Sequence, residues 1–248
     1  MRGFVGCVAG AMLAAGAASG PAAAATLAHA YDFSSGVTDL VGGAHGTLHG
    51  DAATAGGLLQ LDGNGDWVSF GQNLIPLGVQ DFSVYLRVQG ERPGANFAEI
   101  ISQGHSGLPG FYIGVDGDNI RVTDSHHNTG VPFPFGAAFH DLLLVNSHAQ
   151  SQLRFYLDGQ LVLTASPFTM QAGGDLTRLG HQYDPFAEWW NGDIDTLKVF
   201  HGAATLAEAT APIPAPGIPE PSSWALMILG FGSAGAALRR RSRPRPAL

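Results

Sequence analysis

Carboxylates are the first residues that could do chemistry. In Asp193-Ile194-Asp195-Thr196-Leu197-Lys198, strand periodicity puts Asp193, Asp195, Leu197 and Val199 on one face. An aspartate sharing a face with Leu197 and Val199 is expected to be partly buried. Such a group needs a cation or several hydrogen-bond donors. Two carboxyl groups about 5.5 Å apart would serve a retaining glycosidase, one as nucleophile and one as acid/base. Glu188, in the segment EWWNGD, has no partner at a suitable spacing and reads as a solvated loop residue.

Other acidic and imidazole groups read more simply. Asp62-Gly63-Asn64-Gly65-Asp66 begins like a calcium loop. Trp67 stands where that loop needs glycine, and Asn73 where it needs glutamate. The segment is read as a turn delivering Trp67 and Phe70 to a strand. Asp116-Gly117-Asp118 reads as a hairpin turn. His126 and His127 are adjacent, so a strand would point them to opposite faces, a poor arrangement for one metal. HExxH, GxSxG and a phosphate-binding glycine loop are all absent. The sole cysteine, Cys7, lies in the N-terminal apolar run. No catalytic residue is assigned.

Recognition is better represented. HQYDPFAEWWNG (181–192) sets Tyr183, Phe186, Trp189 and Trp190 beside polar groups. Glycan sites combine aromatic platforms with Asp and Asn, so Tyr183, Trp189 and Trp190 are the candidate glycan-binding residues. An alternative has one tryptophan capping the core and the other packing at the edge. Phe111, Tyr112, His126, His127 and Asn128 could line a second loop.

Short strands must position these groups. Phe82, Val84, Leu86 and Val88 alternate with Ser83, Tyr85 and Arg87. Leu153, Phe155 and Leu157 alternate likewise, and Asp158-Gly159 then suits a tight hairpin. Further strands are expected over 27–33, 58–61, 67–70, 97–102, 110–115, 120–123, 140–146, 176–180 and 193–200. ATLAEAT is the one short helical stretch. Thirty-five glycines fit many turns and suit long helices poorly. One apolar face per strand requires a second sheet or barrel closure, so a two-layer antiparallel β-sandwich is predicted.

The chain divides by composition. Residues 1–24 read as a signal peptide, with a basic start, an apolar run and a cut within Ala23–Ala25. Residues 25–211 form the expected domain. They hold six Lys/Arg against nineteen Asp/Glu, a net −13, which excludes nucleic acid as a partner. Residues 212–222 are a Pro-rich linker, 223–238 an apolar segment and 239–248 a basic tail. The apolar segment is short for an independent span and implies transient membrane contact.

Two resemblances follow. Pro219-Glu220-Pro221, the apolar segment and the terminal arginines together resemble the PEP-CTERM sorting signal. That implies processing by an exosortase-type enzyme in a Gram-negative bacterium. It also implies delivery to the cell envelope, outer surface or extracellular matrix. AYDFSSGVTDLVGGAHGTLHGDA, LLQLDGNGDWVSFG, FSVYLRV, LRFYLDGQLV and NGDIDTLKVFHGAATLAE, from about 29 to 208, resemble the laminin-G-like, concanavalin A-like lectin/glucanase superfamily. The middle, about 103–139, departs from its pattern.

This second resemblance implies a jelly roll. Some members bind structural calcium where the opening and closing strands meet, which makes Asp32 and Asp195 candidate ligands, completed by backbone carbonyls. The simpler alternative is that Asp195 accepts N–H bonds from the N-terminal segment. Glucanases of this fold carry Glu-x-Asp-x-x-Glu on one strand. Here the nearest stretch, 193–198, lacks both glutamates and ends in Lys198. The expectation is an exported, non-enzymatic protein that binds exopolysaccharide or another surface protein. A divergent glycan hydrolase or lyase, and a purely structural matrix protein, are the alternatives. No cofactor beyond structural calcium is expected.

Overall fold

A computed structural model describes residues 24–94, 97–104, 110–123, 127–171, 174–182 and 188–214. The expected signal peptide, the Pro219-Glu220-Pro221 motif, the apolar segment and the basic tail lie outside the described residues. So do His126, Tyr183 and Phe186.

Period-two alternation becomes strand after strand. In chain order these are β1 (Thr26–Tyr31), β2 (Gly46–His49), β3 (Ala53–Ala55), β4 (Leu58–Asp62) and β5 (Trp67–Phe70). Next come β6 (Phe82–Gly90), β7 (Phe97–Gly104), β8 (Phe111–Asp116), β9 (Asn119–Val122) and β10 (His127–Pro132). The last are β11 (Gly136–Ser147), β12 (Gln152–Leu157), β13 (Gln160–Ala165), β14 (Asp175–Leu179) and β15 (Asn191–His201), followed by helix α1 (Leu206–Thr210).

Two antiparallel sheets result. The eight-stranded sheet runs β13-β12-β11-β6-β15-β4-β3, with β1 also paired to β15. The seven-stranded sheet runs β10-β9-β8-β7-β14-β5-β2. Val84, Leu86, Leu144, Leu197 and Val199 from the first face Val68, Ile101, Ile113, Val115 and Val122 from the second in one buried core. This is the predicted β-sandwich. The Asp158-Gly159 hairpin forms as expected, with φ of 47° and 78° at its two residues. β2, β3 and β10 were not anticipated; they are short, and β2 and β3 are mostly solvent-facing.

β15 corrects the reading of Asp195. The strand bulges between Ile194 and Thr196, so Ile194 and Leu197 are both buried. A bulge inserts one residue and breaks the period. Asp195 therefore leaves the core face, and its side chain is 38% exposed.

Beyond the bulge Lys198 points away from the main core. There Tyr85, Leu143, Val145, Phe200, Ala204 and Ala209 form a second apolar cluster. Helix α1 supplies Ala209 to it, so this short helix has a packing role. A capping box begins α1: Thr205 accepts from the Glu208 N–H, and Glu208 reaches back to the Thr205 N–H. Lys198 Nζ donates to the carbonyls of Ala209 (2.8 Å) and Ala211 (2.5 Å) and fastens its end.

A buried aspartate fixes the chain after β1. Asp39 accepts from the N–H groups of Ala30, Val41 and Ala44 and pairs with the His29 ring at 2.7 Å. Burial pushes its pKa up, but these bonds to the charged form outweigh burial and bring it to about 2. A lowered folded pKa stabilises above the ordinary aspartate range, and that stability is lost as pH falls toward 2. Asp39→Asn should therefore cost on the order of 2 kcal/mol in urea unfolding at pH 7. The gap should narrow near pH 2; an equal gap at both pH values would refute this role.

Candidate functional site

Val68 and Phe70 point into the core, so β5 turns Trp67 and Ser69 outward. Opposite Trp67 on β2 stands His49. The two rings stack at 3.9 Å, 12° apart, and His49 Nε2 lies 2.8 Å from Ser69 Oγ. From β14, on the other flank of β5, the Arg178 guanidinium lies 4.8 Å from the Trp67 ring centre. His181 follows β14, 5.7 Å from Trp67. It stacks on Trp189 at 3.8 Å and 16°. A row of four rings, His49, Trp67, His181 and Trp189, thus crosses the outer face of the seven-stranded sheet.

A buried charge cluster adjoins this row. Glu99 on β7, Gly114 on β8 and Arg121 on β9 are cross-strand neighbours. Arg121 reaches across β8 at Gly114 toward Glu99. Its Nη2 bonds both Glu99 and Glu188. The guanidinium lies 4.3 Å from the Phe97 ring centre and 4.8 Å from that of Tyr112. Glu99 and Arg121 are buried, and the Glu188 side chain is 14% exposed. Glu188 is therefore no solvated loop residue. Sequence spacing missed it because its partners come from two distant strands.

Burial raises the Glu99 pKa well above the usual carboxylate range. Arg121 opposes the rise and Glu188 reinforces it. Both carboxyl groups converge on Arg121. Arg121 binds both, so this pair is not laid out to receive a glycosidic bond between its members.

A side chain at position 114 would meet the Ala98 carbonyl oxygen and the Glu99 carboxylate. Gly114→Ala should therefore destabilise by about 2 kcal/mol, the range of an overpacked site. Thermal unfolding checks this, and an unchanged Tm would contradict the steric role.

The tryptophans separate sharply. Trp190 is fully buried, with its ring edge-on to Phe133 at 5.3 Å. Its core packing removes it from the candidate glycan-binding set. Trp189 is half-buried on the sheet face, and the Glu188–Trp190 segment is stitched down around it. The Glu99 N–H donates to the Glu188 carbonyl (2.9 Å), and the Trp190 N–H to the Gly180 carbonyl (3.0 Å). In the second proposed loop, Phe111 is core and Tyr112 lies against Arg121, while Asn128 is exposed on β10.

Residues 62–210 match the family described as concanavalin A-like lectin/glucanases. The chain belongs to this superfamily. Residues 217–241 match the PEP-CTERM protein-sorting motif, which implies export and exosortase-type processing. No curated protein matches. Among solved structures, the chain is similar to domain 4 of an extracellular arabinanase from Geobacillus stearothermophilus, in complex with arabinotriose. The TM-score is 0.62 at 20% identity, covering 75% of this chain and 98% of that one. A mutant Trypanosoma rangeli sialidase with trans-sialidase activity gives 0.55 at 14%, covering 74% and 32%. The binding domain of botulinum neurotoxin serotype D/C gives 0.52 at 12%, covering 74% and 50%. The chain thus spans half or less of the last two. At these identities the likeness shows the concanavalin A-like fold.

The calcium candidates implied by that superfamily lie on the opposite side of the sandwich. Asp32 and Asp195 line one open, polar cavity of about 520 Å³ with Tyr85, Arg87, Asp141 and Lys198. Asp32 accepts from the Ser34 N–H (3.0 Å) and hydroxyl (2.8 Å). Asp195 accepts from the Thr196 hydroxyl (2.8 Å) and faces Arg87 Nε at 3.6 Å. Among the described residues, its bonds do not come from the N-terminal segment. Both carboxylates already have partners, and Arg87 and Lys198 bring positive charge to the same cavity.

Among the described residues, one group of three carboxylates is close enough to hold a metal ion. Asp51, Asp62 and Asp66 hold carboxylate oxygens within 4.8 Å of one another. Asp66 accepts from the N–H groups of Asp51 (2.8 Å) and Asp62 (3.1 Å), and Asp62 from that of Asn64 (2.7 Å). These are the bonds of a fastened turn, as expected for residues 62–66.

Proposed function

We propose that the chain is an exported glycan-binding protein of the cell surface or matrix. Its ligand would lie on the outer face of the seven-stranded sheet, at Trp189. The carrying observation is the row of rings ending in half-buried Trp189, stacked on His181 at 3.8 Å. One indole face is supported from below, a preorganised platform for the apolar face of a sugar ring. The similar arabinanase domain is itself in complex with arabinotriose. No hydrolytic step is assigned, because Glu99 and Glu188 are spent on Arg121. Exopolysaccharide is the natural partner for such a surface on an exported protein. Structural calcium at Asp32 and Asp195 is not needed by this reading, since both carboxylates are already bonded and Arg87 and Lys198 bring positive charge to their cavity.

The test is a glycan-array screen of the full-length chain in mild detergent, with and without calcium. Saturable binding that Trp189→Ala removes supports the reading. Absence of binding to every presented glycan overturns it. A calcium effect on thermal stability, lost in Asp195→Asn, would support the metal role independently.

A further inference from the structure

We propose that Glu99, Arg121 and Glu188 form a clamp that positions Trp189, fastening the segment around it to β7 and β9. The inference rests on Trp189 as the ligand platform, and deepens it. All three are positioning residues, since they act through the segment rather than on a sugar.

The geometry is specific. Trp189 sits between two residues that cannot move freely. On one side Trp190 is locked in the core. On the other, Glu188 is held twice, by its carbonyl to the Glu99 N–H and by its carboxylate to Arg121. Without the second hold, one backbone bond would hold Glu188 among the described residues. Arg121 crosses β8 at Gly114 to supply it. The guanidinium meets both carboxylates through Nη2 while it lies against the rings of Phe97 and Tyr112.

The cluster also carries unmet bonding capacity. Among the described residues, Glu99 Oε2 and Arg121 Nε and Nη1 are buried without a hydrogen-bond partner. Unmet polar groups are costly, and apolar residues of similar size would stabilise a core at least as well. A cluster kept only for stability would not be built this way. Its two carboxylates lie on different segments of the chain, β7 and the 188–190 stretch, and the clamp joins them.

The experiment reads Trp189 without any glycan. The full-length chain in detergent is labelled with 5-fluorotryptophan, and Trp189→Phe assigns the Trp189 fluorine line. In Glu188→Ala, that line should shift and narrow toward the position of exposed indole. Hydrogen-exchange protection of the Glu99 amide should fall about tenfold. The Trp190 line should stay, reporting an intact core, and Glu188→Gln should lie between the two. An unchanged Trp189 line with unchanged Glu99 protection overturns the clamp. So does an equal displacement of Trp190, which would mean general loosening. A blank glycan array defeats the ligand reading alone, because none of these signals uses a ligand.

Discussion

Trp190→Ala is expected to cost about 3–5 kcal/mol, the range for removing a large aromatic from a core. The ring is fully buried and packs edge-on against Phe133. Its far side rests where Gly90 has no side chain, and a Cβ there would strike the indole. Gly90→Ala fills the same space from the opposite strand and should cost about 1–3 kcal/mol by overpacking. For a domain of this size the tryptophan loss corresponds to a fall in Tm of about 10 °C. Urea and thermal unfolding of the full-length variants measure both. If Trp190→Ala melts within about 2 °C of the parent, the ring is not a core element. Trp190 would then return to the candidate binding set.

That contrast between neighbours marks how far the sequence could be read. Alternation in 82–88 and 153–157 was enough for the sandwich, because each strand had one apolar face to hide. The Asp158-Gly159 turn was legible because positive φ has few residue solutions. Period two failed at Asp195, since a bulge adds a residue without leaving a mark in composition. Edge strands β2 and β3 carry little apolar signal, being mostly exposed. The candidate site was half legible. EWW stood out as aromatic, yet nothing local says which indole turns inward. Glu188 was misread because its partners, Glu99 and Arg121, meet it only through sheet order. Gly114 was silent for the same reason: its lack of a side chain matters only once the Ala98 carbonyl and the Glu99 carboxylate lie against it.

Trp189→Ala should show the opposite pattern to Trp190→Ala. Its ring lies on the sheet face, half-buried and supported by His181 on one side. Truncation removes a platform rather than a core element, so the stability loss should stay near 1 kcal/mol. A tryptophan at the centre of a binding patch commonly contributes about 2 kcal/mol or more. Affinity for the glycan found on the array should then fall about 30-fold. Trp189→Phe keeps a flat apolar face and should recover part of it. Trp67 makes the useful comparison. It lies on the same sheet face but is flanked by His49 and Arg178, at 3.9 Å and 4.8 Å. Its π-faces are thus engaged within the protein, and Trp67→Ala should lower Tm more than affinity. Titration calorimetry with the array hit, run beside thermal unfolding, separates the two effects. If Trp67→Ala weakens binding as much as Trp189→Ala at equal folded fraction, the ligand covers the whole row of rings. If neither change alters affinity, glycan binding lies elsewhere on the sandwich, and the stacked row is a structural feature of the sheet.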